Sequence, residues 1–283
     1  MSLLRRRPSS PVHGEHEREH RPAAGLAQQP GSFGEGPAGV DQVVDEGAAI
    51  IDIGGVKAAP GEQVPPQEEA RRVIEVVERV RARHPDVVIS VDTYRAAVGE
   101  LVCQAGADLL NDSWGGWEPE LAEVAARHDV GLVCTHTGGV PPRTRPHRVQ
   151  YDDVVTDVVG AVVALAERAV ALGVRRDAVL IDPAHDFGKN SRHSLEVTRR
   201  LDELVATGWP VLVALSRKDF IGEVLDLPPD DRLEGTLAAT AVSAFLGARV
   251  FRAHDVAATL RVVRTVAAVR GDLGLAVGRR GLA

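Results

Sequence analysis

The sequence predicts an α/β fold, a TIM (β/α)8 barrel with a degenerate first strand. Seven short apolar runs are each followed by a helical pattern, and no hairpin signal interrupts this alternation, which is typical of a parallel sheet. A chain of 283 residues is long enough for eight such units in one domain. A doubly wound open sheet is the alternative, but no Gly-x-Gly-x-x-Gly follows a first strand.

The stretch from Val179 to Lys189 shows the repeating unit most clearly. The run Val179-Leu180-Ile181 ends in the carboxylate of Asp182, and the following Pro and Gly residues stop the strand before a helical pattern begins near Ser194. A short apolar run with these boundaries is typical of a buried parallel strand. Asp182 is therefore expected at the end of the sheet where α/β folds bind ligands.

The remaining elements follow from the same pattern of apolar runs, helical periodicity and Gly stops. The predicted strands cover residues 23–27, which is the weak one, 49–53, 87–91, 107–110, 130–135, 179–181, 210–215 and 249–252. The predicted helices cover residues 40–47, 66–83, a segment ending at 105, 117–128, 152–172, 194–206, 232–246 and a last segment ending near 270.

Composition limits the classes of function. The apolar fraction of 44% and the charged fraction of 26% are ordinary for a soluble globular protein. The net charge of −7 gives no reason to expect nucleic acid or an anionic membrane as partner. Cys103 and Cys134 both lie in apolar contexts, which suits buried thiols in a reducing compartment. We therefore expect a cytoplasmic protein.

The domain boundaries are predicted from composition. Residues 1–21 contain Arg, Pro, His and Glu without an apolar segment, which indicates a disordered leader and not a signal peptide. Residues 22–275 are predicted to form the barrel, and residues 276–283 a tail. No run in the sequence approaches the length of a membrane span.

Polar side chains follow almost every predicted strand. They are Asp52, Asp92, Asn111, His136, Asp182, Lys218, and Arg252 with His254. Any one of the Asp or Asn residues could simply cap the next helix, and for Asp52 or Asn111 alone capping is the favoured interpretation. Because parallel strands end at one rim, the whole set predicts a charged pocket, since buried charges are costly unless they pair with each other or with a ligand.

The motifs at these strand ends resemble those of the dihydropteroate synthase family. They are Val-Asp-Thr at 91–93, Asn-Asp at 111–112, Ile-Asp-Pro at 181–183 with Phe-Gly-Lys at 187–189, Ser-Arg-Lys at 216–218, Arg-x-x-Gly-Thr at 232–236 and Arg-x-His-Asp at 252–255. The similarity is closest to the divergent second paralogues of actinobacteria, which His-Thr-Gly-Gly at 136–139 and Arg-Thr-Arg-Pro at 143–146 also resemble. Several of those paralogues are regarded as lacking synthase activity.

The resemblance implies a pterin-binding TIM barrel that acts in folate biosynthesis. Family members join 6-hydroxymethyl-7,8-dihydropterin diphosphate to p-aminobenzoate and release pyrophosphate, with Mg²⁺. The resemblance assigns Asp92, Asn111, Asp182 and Lys218 to the pterin, with Asp92 and Lys218 also catalytic, and it assigns Arg252 and His254 to the pyrophosphate. It further implies a homodimer formed through the last helices.

Three segments depart from the family pattern. The Asn and Asp positions of the first loop are Ala27 and Gly31, and the Thr and Arg positions of the second loop are Ala58 and Ala59. The family's Gly-x-Gly after Asp182 is Ala-His-Asp at 184–186, and we expect His185 and Asp186 to crowd and charge the pocket. These changes predict weak or absent synthase turnover and make Mg²⁺ doubtful, because Ala27 offers no oxygen ligand.

Other functions stay open on the sequence alone. An active second synthase is the first alternative. A metal-dependent hydrolase could use Asp182 with His136, His185 and His254, although no His-x-His follows strand one. A pterin-binding methyltransferase would keep the Asp and Asn set, but Ser-Arg-Lys favours the synthase branch. A non-catalytic protein could bind an anionic metabolite through Lys57, Arg143, Arg145 and Arg148, although solvated loop charges are the simpler interpretation.

Overall fold

The computed structural model describes residues 24–28, 37–57, 60–144 and 150–280. The predicted leader, Gly31, Ala58, Ala59, Arg145 and Arg148 lie outside these residues. The division into leader, barrel and tail stays a prediction.

Eight parallel strands form one sheet in the order β6-β5-β4-β3-β2-β1-β8-β7. The strands are β1 (Ala24–Gln28), β2 (Ile50–Gly54), β3 (Val88–Asp92), β4 (Leu109–Asp112), β5 (Gly131–Thr135), β6 (Val179–Asp182), β7 (Leu212–Ala214) and β8 (Val250–Ala253). A parallel bridge between Ile181 and Val211 joins β6 to the start of β7, where the Ile181 amide donates to the Pro210 carbonyl at 3.0 Å. The predicted TIM barrel is confirmed.

The weak first strand is part of the sheet. β1 pairs in parallel with β2 on one side and with β8 on the other, so that Ala27 lies beside Ile51 and Ala253. The small residues of this segment have poor strand propensity. Both flanking strands supply hydrogen-bonding edges, and this tertiary context outweighs the local propensity.

Ten α-helices surround the strands within the described part of the chain. They are α1 (Pro37–Asp45), α2 (Pro66–Arg83), α3 (Ala96–Ala105), α4 (Glu120–Arg127), α5 (Val154–Ala171), α6 (Ser191–Arg199), α7 (Leu201–Val205), α8 (Asp219–Leu225), α9 (Leu233–Leu246) and α10 (Val256–Arg270). The helix predicted over residues 66–83 has the bounds of α2. Pro65 and Pro66 open it, with Glu68 and Glu69 in its first turn.

Two helix predictions were incomplete. The helix expected over residues 194–206 is divided at Arg200, whose backbone leaves the helical region at φ −108° and ψ 29°. The Arg200 guanidinium binds Asp153 at 3.0 Å and Glu196 at 2.9 Å, so it ties α6 to the start of α5. The short helix α8 was not predicted. It contains Gly222, where a Cβ atom would collide with the Arg232 guanidinium.

The core has two layers separated by the barrel wall. The interior is filled by one residue from each of seven strands: Ile50, Val88, Leu109, Val133, Leu180, Leu212 and Val250. Neighbouring strand residues, such as Ile51, Ile89 and Ile181, point outward and pack under the helices. Because side chains alternate along a strand, the residue two positions further on again points inward. Polar side chains occupy most of those positions.

No helix in the described part of the chain combines the length and the apolar character that a membrane span requires.

Candidate active site

The inward positions one step above the apolar interior form a polar layer, defined here as Asp52, Ser90, Asn111, Thr135, Asp182 and Arg252. Each belongs to a different strand; Asp52 and Ser90 lie at the middle of β2 and β3, and the other four lie in the last two residues of their strands, toward the C-terminal end of the barrel. This is the end of an α/β barrel at which active sites are found. The layer contains four members of the polar set expected from the sequence, namely Asp52, Asn111, Asp182 and Arg252.

Asp52 lies at the centre of the layer and is 1% exposed. Its carboxylate accepts hydrogen bonds from Ser90 Oγ at 2.6 Å and from Arg252 Nε at 2.8 Å. Asn111 Nδ2 lies 3.4 Å from both Asp52 oxygens. Asp52 therefore joins three strands and does not cap α2, whose N-cap position is Pro65.

Asp92 lies one step above this layer, on β3. Ser113 Oγ donates to Asp92 Oδ1 at 2.6 Å, and Arg252 Nη2 lies 3.7 Å from Asp92 Oδ2. Burial and the nearby Asp52 carboxylate raise the pKa of Asp92 to about 6, although Arg252 and Ser113 act in the opposite direction. One guanidinium is thus shared between two buried carboxylates.

Asp182 and Lys218 lie on the opposite side of the barrel mouth. Asp182 Oδ1 accepts a hydrogen bond from the Ala184 amide at 2.7 Å, and burial raises the pKa of Asp182. Lys218 Nζ donates to the His185 carbonyl at 3.0 Å and lies 4.7 Å from the centre of the Phe187 ring. Burial lowers the pKa of Lys218.

An aromatic wall lies beside Lys218. Trp114, from the loop after β4, meets the Phe187 ring edge to face with a centroid separation of 5.6 Å. Aromatic faces next to hydrogen-bonding side chains suit a flat heterocycle, which needs both apolar contact and polar recognition at its edge.

His254 and Arg252 extend from the end of β8. The His254 amide and its Nδ1 lie 3.3 Å and 2.9 Å from Ser216 Oγ, which links this strand end to the loop after β7. Burial, Arg217 and Arg252 lower the pKa of His254. Arg232 supports the same loop by donating to the carbonyls of Arg217 and Lys218.

His136 and His185 do not point into the barrel mouth. His136 Nδ1 lies 2.6 Å from Lys189 Nζ, and His136 Nε2 lies 2.8 Å from Asp157 Oδ1. His185 Nε2 lies 3.0 Å from Thr198 Oγ1, and its ring stacks on Phe220. These contacts separate the side chains on which the metal-dependent hydrolase alternative relied.

The Asp186 carboxylate is bound by neighbouring groups, but it still charges the pocket as expected, because it acts against burial on the pKa of Lys218. Ala184 and Asp186 keep the left-handed backbone that glycine favours, with φ values of 49° and 68°. The Asp186 carboxylate accepts hydrogen bonds from Ser194 Oγ at 3.1 Å and from the Asp219 amide at 2.7 Å. These bonds connect the loop to the starts of α6 and α8.

Sequence reasoning missed several polar side chains of the site. Ser90 and Thr135 follow their inward-facing apolar neighbours by two residues, so the strand period could have identified them. Thr135 is 4% exposed, and its hydroxyl has no hydrogen-bond partner among the described residues. Ser113 and Lys189 lie in loops, where no periodicity predicts direction.

The described residues do not fit a resident Mg²⁺ ion. They contain no group of three or more His, Cys, Asp or Glu side chains placed to hold a metal. Asp52 and Asp92, two carboxylates of the barrel mouth, both face Arg252. The family's Asn ligand is replaced by Ala27, which carries no donor atom.

The second and fifth strand loops meet above the mouth. Arg143 has a φ of 62°, and its Nη1 donates to the Lys57 carbonyl at 3.3 Å. This contact occupies one of the five guanidinium N–H donors of Arg143 and leaves its positive charge unchanged.

Comparison with known proteins gives consistent results. Residues 34–254 match the family described as "Pterin binding enzyme". A Mycobacterium leprae protein named "Inactive dihydropteroate synthase 2" is 55% identical over 250 residues, which cover 87% of this chain and 86% of the relative. The dihydropteroate synthase of Bacillus subtilis is 39% identical over 236 residues, covering 83% and 80%.

The fold comparison supports the same assignment. The crystal structure of Thermus thermophilus dihydropteroate synthase in complex with 4-aminobenzoate superposes with a TM-score of 0.82 at 36% identity and covers 88% of this chain and 95% of that one. A shared barrel, matching strand-end motifs and this level of identity together mean that the chain belongs to the pterin-binding enzyme family, as a dihydropteroate synthase-like protein.

Proposed function

We propose that this protein binds a pterin in the barrel mouth and catalyses the family's condensation weakly or not at all. The observation that carries the proposal is the unequal state of the two sides of the mouth. Asn111, Asp182 and Lys218 form a polar edge beside the Trp114–Phe187 wall. Arg252, which would hold the diphosphate, already binds the buried Asp52 carboxylate through Nε and lies beside Asp92, so two carboxylates offset its charge.

The pterin-binding roles follow from hydrogen-bonding chemistry. A pterin edge alternates N–H donors with ring nitrogen and carbonyl acceptors, so carboxylates and an amide are suitable partners. Asp182, Asn111 and Asp92 would receive and offer these hydrogen bonds. Lys218 would face the opposite edge and the site of p-aminobenzoate. The protonated fraction of Asp92 near pH 6 would let it act as a donor as well as an acceptor.

Weak turnover follows from the diphosphate side. Catalysis depends on interactions that strengthen in the transition state, when negative charge grows on the departing pyrophosphate. Ala27, Ala58 and Ala59 provide no charge-assisted hydrogen bond there. Arg252 keeps its Nη groups for the leaving group while Nε stays on Asp52, but the neighbouring Asp52 and Asp92 carboxylates offset its positive charge. Arg252 and His254 are proposed to hold an anion, but with reduced effect.

The names of the relatives support this assignment without testing it. The Mycobacterium leprae relative is named as inactive, and it is more similar to this chain than the Bacillus subtilis synthase is. The 4-aminobenzoate complex concerns a Thermus thermophilus protein, and its ligand becomes a candidate here by similarity.

The test separates binding from turnover. Calorimetric titration with 6-hydroxymethylpterin measures affinity, and a pyrophosphate-release assay with the pterin diphosphate, p-aminobenzoate and Mg²⁺ measures catalysis. We expect binding with turnover at least about a thousandfold below that of a matched active synthase, a loss of about 4 kcal/mol in transition-state stabilisation. Normal turnover would establish an active second synthase, and absence of pterin binding would reject the proposal.

The titration also includes variants and Mg²⁺. Asp182→Asn and Asn111→Ala should each weaken pterin binding about tenfold or more, since each removes a buried hydrogen bond to the ligand. Glu75→Gln, on the exposed face of α2, is the matched control. We also propose that Mg²⁺ leaves the pterin affinity unchanged, because the described residues do not fit the ion. A Mg²⁺-dependent increase in affinity would contradict that.

We further propose a homodimer formed through α9 and α10. Val242, Phe245 and Val269 are 47%, 56% and 72% exposed on these adjacent helices, and apolar side chains grouped in this way are typical of an interaction surface.

A cytoplasmic location is proposed from the two thiols. Cys103 and Cys134 are both buried, and buried thiols suit a reducing compartment. Cell fractionation would test the location directly.

A further inference from the structure

Lys189 is a buried lysine that the proposed pterin chemistry does not use. It is 7% exposed, and its ammonium lies between β5 and the segment 183–190, here called the β6 loop. Nζ donates to the carbonyls of Ala184 at 3.2 Å and Phe187 at 3.0 Å. The third contact is with His136 Nδ1 at 2.6 Å, so the protonated form has an acceptor for each of its three N–H donors, while burial lowers the pKa of Lys189 to about 7.

His136 connects Lys189 to helix α5 on the outside of the barrel. With Nδ1 accepting from Lys189, the ring carries its proton on Nε2 and donates to Asp157 Oδ1 at 2.8 Å. The low pKa of His136, about 4, which arises from burial and the neighbouring ammonium, agrees with a neutral ring. A chain of hydrogen bonds therefore runs from α5 through β5 to the β6 loop.

The β6 loop needs such support because its backbone is strained. Ala184 and Asp186 are not glycine, yet their φ values are 49° and 68°. Left-handed backbone at residues other than glycine persists where the surrounding structure determines it, often beside functional sites. Lys189 binds the carbonyl of one strained residue and the carbonyl that follows the other.

The loop in turn positions Lys218. Its His185 carbonyl accepts from Lys218 Nζ at 3.0 Å, and its Phe187 ring lies 4.7 Å from the same nitrogen. Both contacts lie within the segment 184–187, whose first and last carbonyls accept hydrogen bonds from Lys189. A shift of the β6 loop would therefore move both partners of Lys218 together.

We propose that Lys189 is a positioning residue for this family site: through the β6 loop it sets the place of Lys218 against the Phe187 ring. The importance of Lys218 for a ligand rests on the proposed function, whereas its position can be measured without any ligand.

The chain is well suited to the measurement because it contains only three lysines, Lys57, Lys189 and Lys218. Protein labelled with ¹³C at lysine Cε gives one signal for each, and Lys57→Arg assigns the exposed one. The ring current of Phe187 should shift the Lys218 ε-proton signal upfield of that of Lys57. In Lys189→Met we expect this upfield shift to be lost, while Arg79→Met, an exposed cation on α2, should leave it unchanged.

A double variant guards against the chance that Lys189→Met alone fails to fold. Lys189→Met combined with Ala184→Gly relieves the left-handed strain, which favours a folded chain, but it does not restore the hydrogen bonds. Lys218 should stay displaced in the double variant. An unchanged Lys218 signal in either folded variant would overturn the inference.

Pterin titration supplies the second readout. Lys189→Met should lower affinity about tenfold, the equivalent of one hydrogen bond to a charged group. If the wild-type protein binds no pterin, the proposed function fails, but the displacement of the Lys218 signal still decides the role of Lys189. A displaced signal with unchanged pterin affinity would confine the role of Lys189 to the free protein and overturn its link to ligand binding.

Discussion

At the scale of single residues, several polar groups of this site carry an energetic cost in the ligand-free protein. The Thr135 hydroxyl is buried without a partner among the described residues, and Asp112 is a carboxyl group held in low-dielectric surroundings. Such costs are typical of sites arranged for a ligand. Thr135 is an informative position for substitution, because removal of its unpartnered hydroxyl should stabilise the protein.

Thr135→Val should raise the free energy of unfolding by about 1 kcal/mol, because it replaces an unpartnered buried hydroxyl with a methyl group of similar size. Urea unfolding measures the change. Thr93→Val is the opposite control: Thr93 Oγ1 donates to Glu69 Oε1 at 2.7 Å, so its removal should destabilise the protein. Destabilisation by Thr135→Val would contradict the assignment of Thr135 as unpartnered.

Asp112 predicts a pH dependence of stability. Burial raises the pKa of Asp112 to about 7, against hydrogen bonds from the Gly116 and Trp114 amides. A folded-state pKa above the ordinary aspartate value of 3.8 means that the native protein binds the proton more tightly than the unfolded chain does. The Asp112 contribution to stability should therefore fall as pH rises from about 4 to about 7. Urea unfolding at pH 5 and pH 8 should show a smaller difference for Asp112→Asn than for the wild-type protein, and an equal difference would count against this assignment.

At the scale of secondary-structure elements, a buried ion pair joins α2 to the start of α3. Arg95 Nη1 donates to Glu69 Oε2 at 2.8 Å and to the Val64 carbonyl at 2.6 Å, and both charged residues are less than a tenth exposed. Asp92 is the last residue of β3. The ion pair holds the loop that follows it against the loop after β2. Its role is structural, although it lies close to the rim.

Arg95→Met should lower the free energy of unfolding by about 3 kcal/mol or more, because the Glu69 carboxylate would stay buried without its cation. Thermal or urea unfolding gives the value. The double variant Arg95→Met with Glu69→Gln removes the uncompensated charge and should recover part of the loss. A double variant as unstable as the sum of both single variants would show that the charges are not coupled.

At the scale of the whole molecule, the exposed apolar side chains of α9 and α10 are the feature that the barrel itself does not explain. Phe245→Glu places a charge in the centre of the proposed dimer surface, and it should convert a dimer into a monomer. Sedimentation velocity measures the state, with Val224→Glu, an exposed apolar position on α8, as the matched control. A wild-type protein that sediments as a monomer would reject the dimer.

The sequence by itself determined the barrel and the family, because both depend on local patterns. The period of the strands, the Gly stops and the strand-end motifs act within a few residues of chain, and they identified seven strands and the correct bounds of α2. The same locality explains the misses. The bend at Arg200 depends on ion pairs to other elements, and β1 is completed by two neighbouring strands.

Only the tertiary structure decided which polar residues face the pocket and which are used internally. Arg252 and Asp52 lie 200 positions apart in the chain, yet they form a 2.8 Å ion pair, and His136 and His185 turn away from the mouth. Residue type and spacing state what a side chain can do, but its direction and its partners come from packing between distant segments. The direction of a buried charged side chain and its bonding partners set the free-energy cost of its burial. That cost decides whether the side chain can leave its partners to bind a ligand.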